Sequence, residues 1–293
     1  MARCLVTGHK GYIGSRLYSK LQELGHEVLG VDLKEETPHD VRTVLREDSD
    51  GAFHPYYYDF QPEYIFHLAC FPRVGYSIDH PVKTAENNIL AGCIVLNFAR
   101  KVGSVKRLIY SSSSSVKGDD GVPISPYALQ KYTTELECRI YSQIYDLDTV
   151  SLRYFNVYSP DQPADGPYAT AISNWMKAIR HQASPFITGD GEQRRDMIHV
   201  DDAVDANIFC MNYNQQFEGD VLEIGTGKNI SLNEVRDIVC EYFPGLQFDS
   251  LPPRLGDVRE TLANLEPAAL YGWNPAISLR AGIHECFERL SNE

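Results

Sequence analysis

Three glycines, Gly8, Gly11 and Gly14, stand between a short apolar run, Cys4-Leu5-Val6, and a stretch carrying Ile13, Leu17, Leu21 and Leu24 at helical spacing. The apolar run reads as a buried strand and the spaced leucines as one face of a helix. Glycine lets the backbone turn sharply from one into the other. The same alternation continues. Glu27–Val31, Tyr64–Leu68, Arg107–Tyr110 and Thr149–Leu152 read as strands, with helices over 12–24, 83–101 and 127–145. Strand–helix alternation predicts an α/β fold with a doubly wound parallel sheet and right-handed crossovers. Residues 33–62 are harder to read, with mixed charges, Pro38, Pro55, a tyrosine cluster and room for a short helix at 43–47. After about residue 155 prolines and glycines break the texture, a helix is expected over 169–181, and Val221–Ile224 reads as a strand returning to the main sheet. We therefore expect a first domain over 1–155 with a returning segment near 197–228, and a smaller mixed α/β lobe over 156–293.

Charge narrows the partners. With 27 Lys and Arg against 40 Asp and Glu, the formal charge is −13, which disfavours broad contact with nucleic-acid phosphates or anionic lipid. No apolar run approaches the roughly 18 residues that span a bilayer, and Met1-Ala2-Arg3 runs directly into the first strand, so no membrane and no secretory leader are expected. Seven cysteines, odd in number, widely spread and without a CxxC pair, predict reduced thiols in the cytoplasm and no metal site.

The glycine-rich turn, Thr7-Gly8-His9-Lys10-Gly11-Tyr12-Ile13-Gly14, has the form GxxGxxG. Bare backbone at a helix N-terminus lets a pyrophosphate approach closely. Asp32 follows the second strand, where a carboxylate accepts hydrogen bonds from adenosine ribose hydroxyls and repels a 2′-phosphate, favouring NAD over NADP. Tyr127-Ala-Leu-Gln-Lys131 puts a phenol and an ammonium on one helix face, and a nearby positive charge favours the phenolate, making Tyr127 a usable base. Ser111–Ser115 ends the fourth strand, where a hydroxyl can join the relay.

These motifs, with His67-Leu-Ala-Cys70, Asn88, Arg153-Tyr-Phe-Asn156, Gly189–Asp196, Ile224–Gly227 and Arg254-Leu-Gly-Asp257, resemble the extended short-chain dehydrogenase/reductases. Within that superfamily the chain is most similar to the nucleotide-sugar epimerases of the UDP-glucose 4-epimerase type. The resemblance covers nearly the whole chain and implies a Rossmann sheet, NAD as cofactor and a nucleotide-diphosphate sugar as substrate. It implies catalysis by Ser113, Tyr127 and Lys131. It places Gly8, Gly11, Tyr12, Ile13, Gly14, Asp32, Leu68, Ala69, Asn88, Ser111, Tyr127, Lys131 and Tyr154 at the cofactor. It places Ser113, Tyr127, Asn156, Arg195, Arg254, Asp257 and Thr261 at the substrate, with Arg194 the neighbour most easily mistaken for Arg195. For the adenine end two Asp–apolar pairs compete. Asp59 precedes His67 by only 8 residues, too few for an intervening helix, whereas Asp40-Val41 leaves 27, so Asp40 and Val41 are favoured.

Family dehydratases follow the catalytic hydroxyl with Asp and Glu. Here Ser114 and Ser115 stand instead, which favours epimerisation over elimination. Thr261, in place of a bulky aromatic, leaves room for an N-acetylhexosamine. Lys117, Ser159 and Asp161 depart from the family pattern and bear on substrate identity. The expected chemistry is reversible oxidation at sugar carbon 4. Two alternatives stay open: a relative that acts as a reductase or at another carbon, and a non-catalytic binding module. Apolar residues on helices 83–101 (Ile89, Cys93, Leu96) and 127–145 (Leu136, Ile140, Ile144) exceed what one sheet contact requires, so a homodimer is expected.

Overall fold

The computed structural model describes residues 1–33, 55–118, 120–165, 169–253 and 258–293. The chain divides into two compact units, one of Met1–Arg153 with Val204–Leu222, the other of Tyr154–Ala203 with Glu223–Glu293.

In the first unit β1 (Arg3–Thr7), α1 (Tyr12–Glu23) and β2 (Glu27–Val31) fall where the sequence puts them. There follow α2 (Pro55–Phe60), β3 (Tyr64–His67), α3 (Val74–Asp79), α4 (Pro81–Ala85), a π-helical turn over Glu86–Leu90 and α5 (Ala91–Val102). The helix expected over 83–101 thus opens with Pro81 at its first turn and carries one wide turn inside it. Then come β4 (Arg107–Ser113), a 3₁₀ turn (Ser114–Lys117), α6 (Pro126–Tyr145) and β5 (Thr149–Tyr154). After α7 (Ala171–Arg180), β6 (Phe186–Thr188) and β7 (Arg194–Asp196) of the second unit, the chain returns with α8 (Val200–Asn212) and β8 (Asp220–Ile224). β4 is three residues longer than its apolar run because Ser111 and Ser112 continue it as buried strand positions. The main sheet has the order β2-β1-β3-β4-β5-β8, and β2, β1, β3 and β4 pair in parallel. Winding from β1 goes one way to β2 and the other way to β3. The switch point between β1 and β3 is where an open α/β sheet leaves a crevice beyond its strand ends. Leu5, Val31, Ile65, Val95, Leu96, Leu108 and Cys138 pack the core beside this sheet. Leu96, read from the sequence as surplus apolar surface, belongs to that core at 1% exposure.

The second unit holds α7 (Ala171–Arg180), β6 (Phe186–Thr188), β7 (Arg194–Asp196), β9 (Asn229–Ser231), α9 (Leu232–Tyr242), β10 (Asp249–Leu251), α10 (Glu266–Tyr271) and α11 (Leu279–Ser291). Two small two-stranded sheets, β10-β6 and β7-β9, lie against a core of Trp175, Met176, Val239, Ile283 and Phe287. Capping boxes at Thr170 and Ser231 start α7 and α9 by satisfying end amides from side chains.

One buried cation staples the first unit. Arg107 at the start of β4 pairs with Asp148 at 2.5 Å, donates to the carbonyls of Cys210, Tyr213 (2.9 Å) and Gln215 (2.6 Å), and lies over the Phe217 ring. It ties the segment after α8 to the sheet. Arg107→Ala strands the Asp148 carboxylate in the interior, and we expect a loss of about 3–5 kcal/mol in urea denaturation; a loss under about 1 kcal/mol contradicts the staple.

Candidate active site

Thr7, the last residue of β1, organises the crevice. Its hydroxyl bonds His67 Nδ1 at 2.7 Å and accepts the Ala69 N–H, while its carbonyl accepts the Leu68 N–H. Gly8 follows with φ +76°, and a Cβ there would stand 2.8 Å from the Ala69 amide nitrogen, so the β1 turn and the β3 end touch backbone to backbone. The Gly8 N–H reaches the Val31 carbonyl at 2.7 Å, and the Gly11 N–H closes the turn on Gly8 at 2.9 Å. Gly11 caps α1 and, lacking a side chain, makes no cap bond of its own. Bare amides and the positive end of the dipole make that end an anion site. Tyr12 and Gly14 are buried in the first turn, with Ile13 between them. Asp32, nearly buried after β2, accepts the Lys10 N–H at 2.9 Å, which fixes its carboxylate beside the glycine turn. Asp59 lies on α2 itself and is exposed; Asp40 and Val41 lie outside the described residues.

Asn88 sits in the π turn, a feature that tends to mark functional sites. Its amide accepts from the Phe71 N–H at 2.8 Å and donates to Gln130 at 2.7 Å. It therefore brackets the loop after β3 to α6, a structural duty beside its expected place at the cofactor.

α6 starts cleanly, with Ser125 as N-cap accepting the Ala128 N–H and Pro126 in the first turn. Its buried face carries Tyr127, Lys131 and Glu135 at successive turns. The Tyr127 N–H donates to Ser77 Oγ at 3.0 Å. Lys131 Nζ donates to the Ser111 carbonyl at 2.6 Å and stands 6.0 Å from the Tyr127 ring centroid. Glu135 takes a two-pronged bond from Arg153 on β5 (2.9 and 2.7 Å) and a hydroxyl bond from Ser112 on β4, locking the helix in register with the strands that present the serines. Ser113 Oγ accepts from the Ser115 hydroxyl at 3.0 Å and the Ser115 N–H at 3.3 Å. Ser77, Gln130 and Glu135 escaped the sequence reading. Glu135 was within reach, since it lies two turns beyond Tyr127 on the same face. Burial, with Lys131 nearby, pushes the His67 imidazole down to about 3.

In the second unit β7 sorts the two arginines. Arg194 pairs with Glu234 at 2.7 Å and bonds Asn229 on the neighbouring strand, so it belongs to the framework. Arg195 points the other way along the pleat and donates to the carbonyls of Arg194 at 2.9 Å and Arg259 at 3.4 Å. Asn156, at φ +34°, donates to the Asp196 carbonyl at 2.7 Å. The Thr261 hydroxyl accepts the Asp196 N–H at 3.3 Å. Asn156, Arg195 and Thr261 thus gather around β7. Asp196, which the sequence reading passed over, organises them. Its carboxylate accepts from the amides of Thr226, Gly227 and Ala263 and from the Thr226 hydroxyl, while burial raises its pKa against those donors. A cavity of about 770 Å³ opens beside β6, lined by Thr188, Gly189, Gln193, Pro253, Val258 and Arg259. Tyr154 is buried at the end of β5. Arg254 and Asp257 lie outside the described residues.

The profile of the NAD-dependent epimerase/dehydratase family matches residues 4–225. The chain belongs to that family. A UDP-glucose 4-epimerase of Mycolicibacterium smegmatis is 31% identical over 314 residues, covering 99% of each chain. Among solved structures, a UDP-glucose 4-epimerase of Thermotoga maritima with UDP-glucose superposes with a TM-score of 0.86 at 30% identity, over 99% of this chain and 100% of its own. A UDP-N-acetylglucosamine 4-epimerase of Methanobrevibacter ruminantium in complex with UDP-N-acetylmuramic acid gives 0.85 at 27%, over 98% and 97%. The family's cofactor, NAD, fits what the first unit offers: a glycine turn packed against Ala69, a helix that starts at a glycine N-cap, and a carboxylate at the end of β2. No helix among the described residues is long and apolar enough to cross a membrane.

His67 supplies a pH prediction. Its folded pKa lies below its unfolded value of about 6.5, so folding is favoured above that pH and loses ground as protons bind the unfolded chain. Between pH 6.5 and 5 this removes about 2 kcal/mol. Denaturation at the two pH values is expected to show that loss in the parent and a smaller one in His67→Asn; equal losses contradict the assignment.

Proposed function

We propose that this chain is an NAD-dependent nucleotide-sugar 4-epimerase acting on a UDP-hexose or UDP-N-acetylhexosamine. The observation that carries the reading is the face of α6. A buried phenol and a buried ammonium one turn apart stand on a helix that Glu135 locks to the serine-bearing strand. Tyr127 takes the proton of the sugar 4-hydroxyl, directly or through Ser113, as the sugar becomes a 4-ketone. Bound NAD supplies the reversible two-electron acceptor for carbon 4. Lys131 holds the nicotinamide ribose and favours the Tyr127 phenolate electrostatically. Gly8, Gly11 and the α1 N-terminus take the pyrophosphate, and Asp32 the adenosine ribose. Ser114 and Ser115 provide no carboxylate pair, so the ketone is reduced again instead of losing water. Arg195 and Asn156 anchor the substrate diphosphate, and Arg254 and Asp257 assist by resemblance. The cavity beside β6 suits the nucleoside. Anchoring through the nucleotide leaves the sugar free to turn over before reduction on its opposite face. Thr261 leaves volume at carbon 2, which favours tolerance of an N-acetyl group.

The subunits are proposed to pair as homodimers through α5 and α6. Leu136, Ile140 and Ile144, at helical spacing on α6, are exposed at 43%, 47% and 67%, and Leu90, just before α5, at 47%, apolar side chains that a partner subunit would cover. All seven cysteines are free thiols, which suits a cytoplasmic protein.

Tyr127→Phe is expected to lower turnover of UDP-glucose or UDP-galactose by at least about 100-fold, read by NMR of the products, with no externally added NADH required by the parent. Full activity in that variant refutes the base, and a net demand for external cofactor indicates a reductase. Sedimentation of dilute protein at dimer mass is expected, with Ile140→Glu shifting it to monomer; monomer mass in the parent rejects the pairing.

A further inference from the structure

Lys131 carries a full charge into the interior with little to pair it. The residue is 2% exposed, and among the described residues its hydrogen bond goes to one neutral acceptor, the Ser111 carbonyl. An ammonium has three donors, and burying it this way is costly unless something else faces the charge. What faces it is Tyr110. Nζ stands 5.0 Å from that ring's centroid, inside the range of a cation–π contact. The ring is held on several sides. It is 2% exposed in the middle of β4, and the His67 imidazole stacks against it at 5.6 Å between centroids and 29° between planes. His67 is uncharged at neutral pH, its pKa pushed down to about 3, so the ring meets one cation and not two.

We propose that Tyr110 is a positioning residue whose π face seats the Lys131 ammonium and thereby sets where Lys131 meets the cofactor ribose and the Tyr127 phenol. Tyr110 acts through Lys131 and touches no reacting atom. The inference rests on the roles given to Tyr127 and Lys131 under the proposed function. The face of the ring matters and its hydroxyl does not, and this separates the idea from simple core packing. Loss of the face lets the ammonium wander, weakens its hold on the ribose and raises the Tyr127 pKa, because the phenolate loses a fixed positive neighbour.

The test compares Tyr110→Phe, which keeps the face, with Tyr110→Leu and Tyr110→Met, which keep apolar bulk without it. Two aliphatic variants are used so that a folding failure in one leaves the other to decide, and circular dichroism and thermal melting confirm the fold. The readouts are the NAD dissociation constant by calorimetry on cofactor-stripped protein and the pH profile of kcat/KM for UDP-galactose. Tyr110→Phe is expected within about threefold of the parent in both. The aliphatic variants are expected to bind NAD about tenfold more weakly and to move the acidic limb of the profile up by about one pH unit. Equal losses in Phe and in the aliphatic variants, or folded aliphatic variants that bind and titrate like the parent, overturn the proposal. If the parent turns over no nucleotide sugar, the functional reading fails, and the NAD arm still decides the role of Tyr110.

Discussion

The bond from Lys131 Nζ to the Ser111 carbonyl, 2.6 Å long and buried, is the contact on which the proposed chemistry of the first unit depends. It fixes α6 against the end of β4 at the place where the strand becomes a run of hydroxyls. A backbone carbonyl cannot be mutated away, so the ammonium is held by geometry one turn from the Tyr127 phenol. Glu135, one turn further, repeats the attachment with a carboxylate, bonding Ser112 and Arg153. Two successive turns of one helix thus grip two successive residues of one strand, and Tyr127 and Ser113 inherit a fixed relation from that grip.

The second unit is organised by an anion as the first is by a cation. Asp196 gathers amides from Thr226, Gly227 and Ala263, pulling two loops onto β7. A strand's period of two then puts Arg194 into the framework and leaves Arg195 on the other face. A single buried carboxylate therefore presents an arginine, an asparagine and a threonine around one short strand. Burial raises its pKa, and the converging donors are what let it stay useful as an acceptor.

Much of this was legible in the residues because the signals were local. A glycine turn between an apolar run and a helical period specified β1, α1 and β2 almost to the residue. The four-residue spacing of Tyr127 and Lys131 put both on one face of a helix whose cap, Ser125-Pro126, is also local. What escaped reading depends on partners distant in the chain. Leu96 looked like surface until a sheet covered it. Asn88 looked like a ligand contact alone, but its amide also brackets Phe71 and Gln130, residues 17 and 42 positions away. Glu135 and Asp196 resemble ordinary surface acids until their donors arrive from other strands and loops. Serines blurred the end of β4, since Ser111–Ser113 have weak strand preference and are held there by burial and by Lys131. The choice between Asp40 and Asp59, and the roles of Arg254 and Asp257, turn on residues outside those described.

On the proposed function, carbon 4 of the sugar is oxidised and reduced within one binding event. The most direct measurement follows a deuterium placed at carbon 4 of UDP-galactose through incubation with the protein in ordinary water, read by NMR. Inversion at carbon 4 with the deuterium kept there is expected, because a hydride lent to a dinucleotide and returned never exchanges with solvent. Deuterium lost to water, or no inversion of UDP-hexoses and UDP-N-acetylhexosamines alike, contradicts the proposed function.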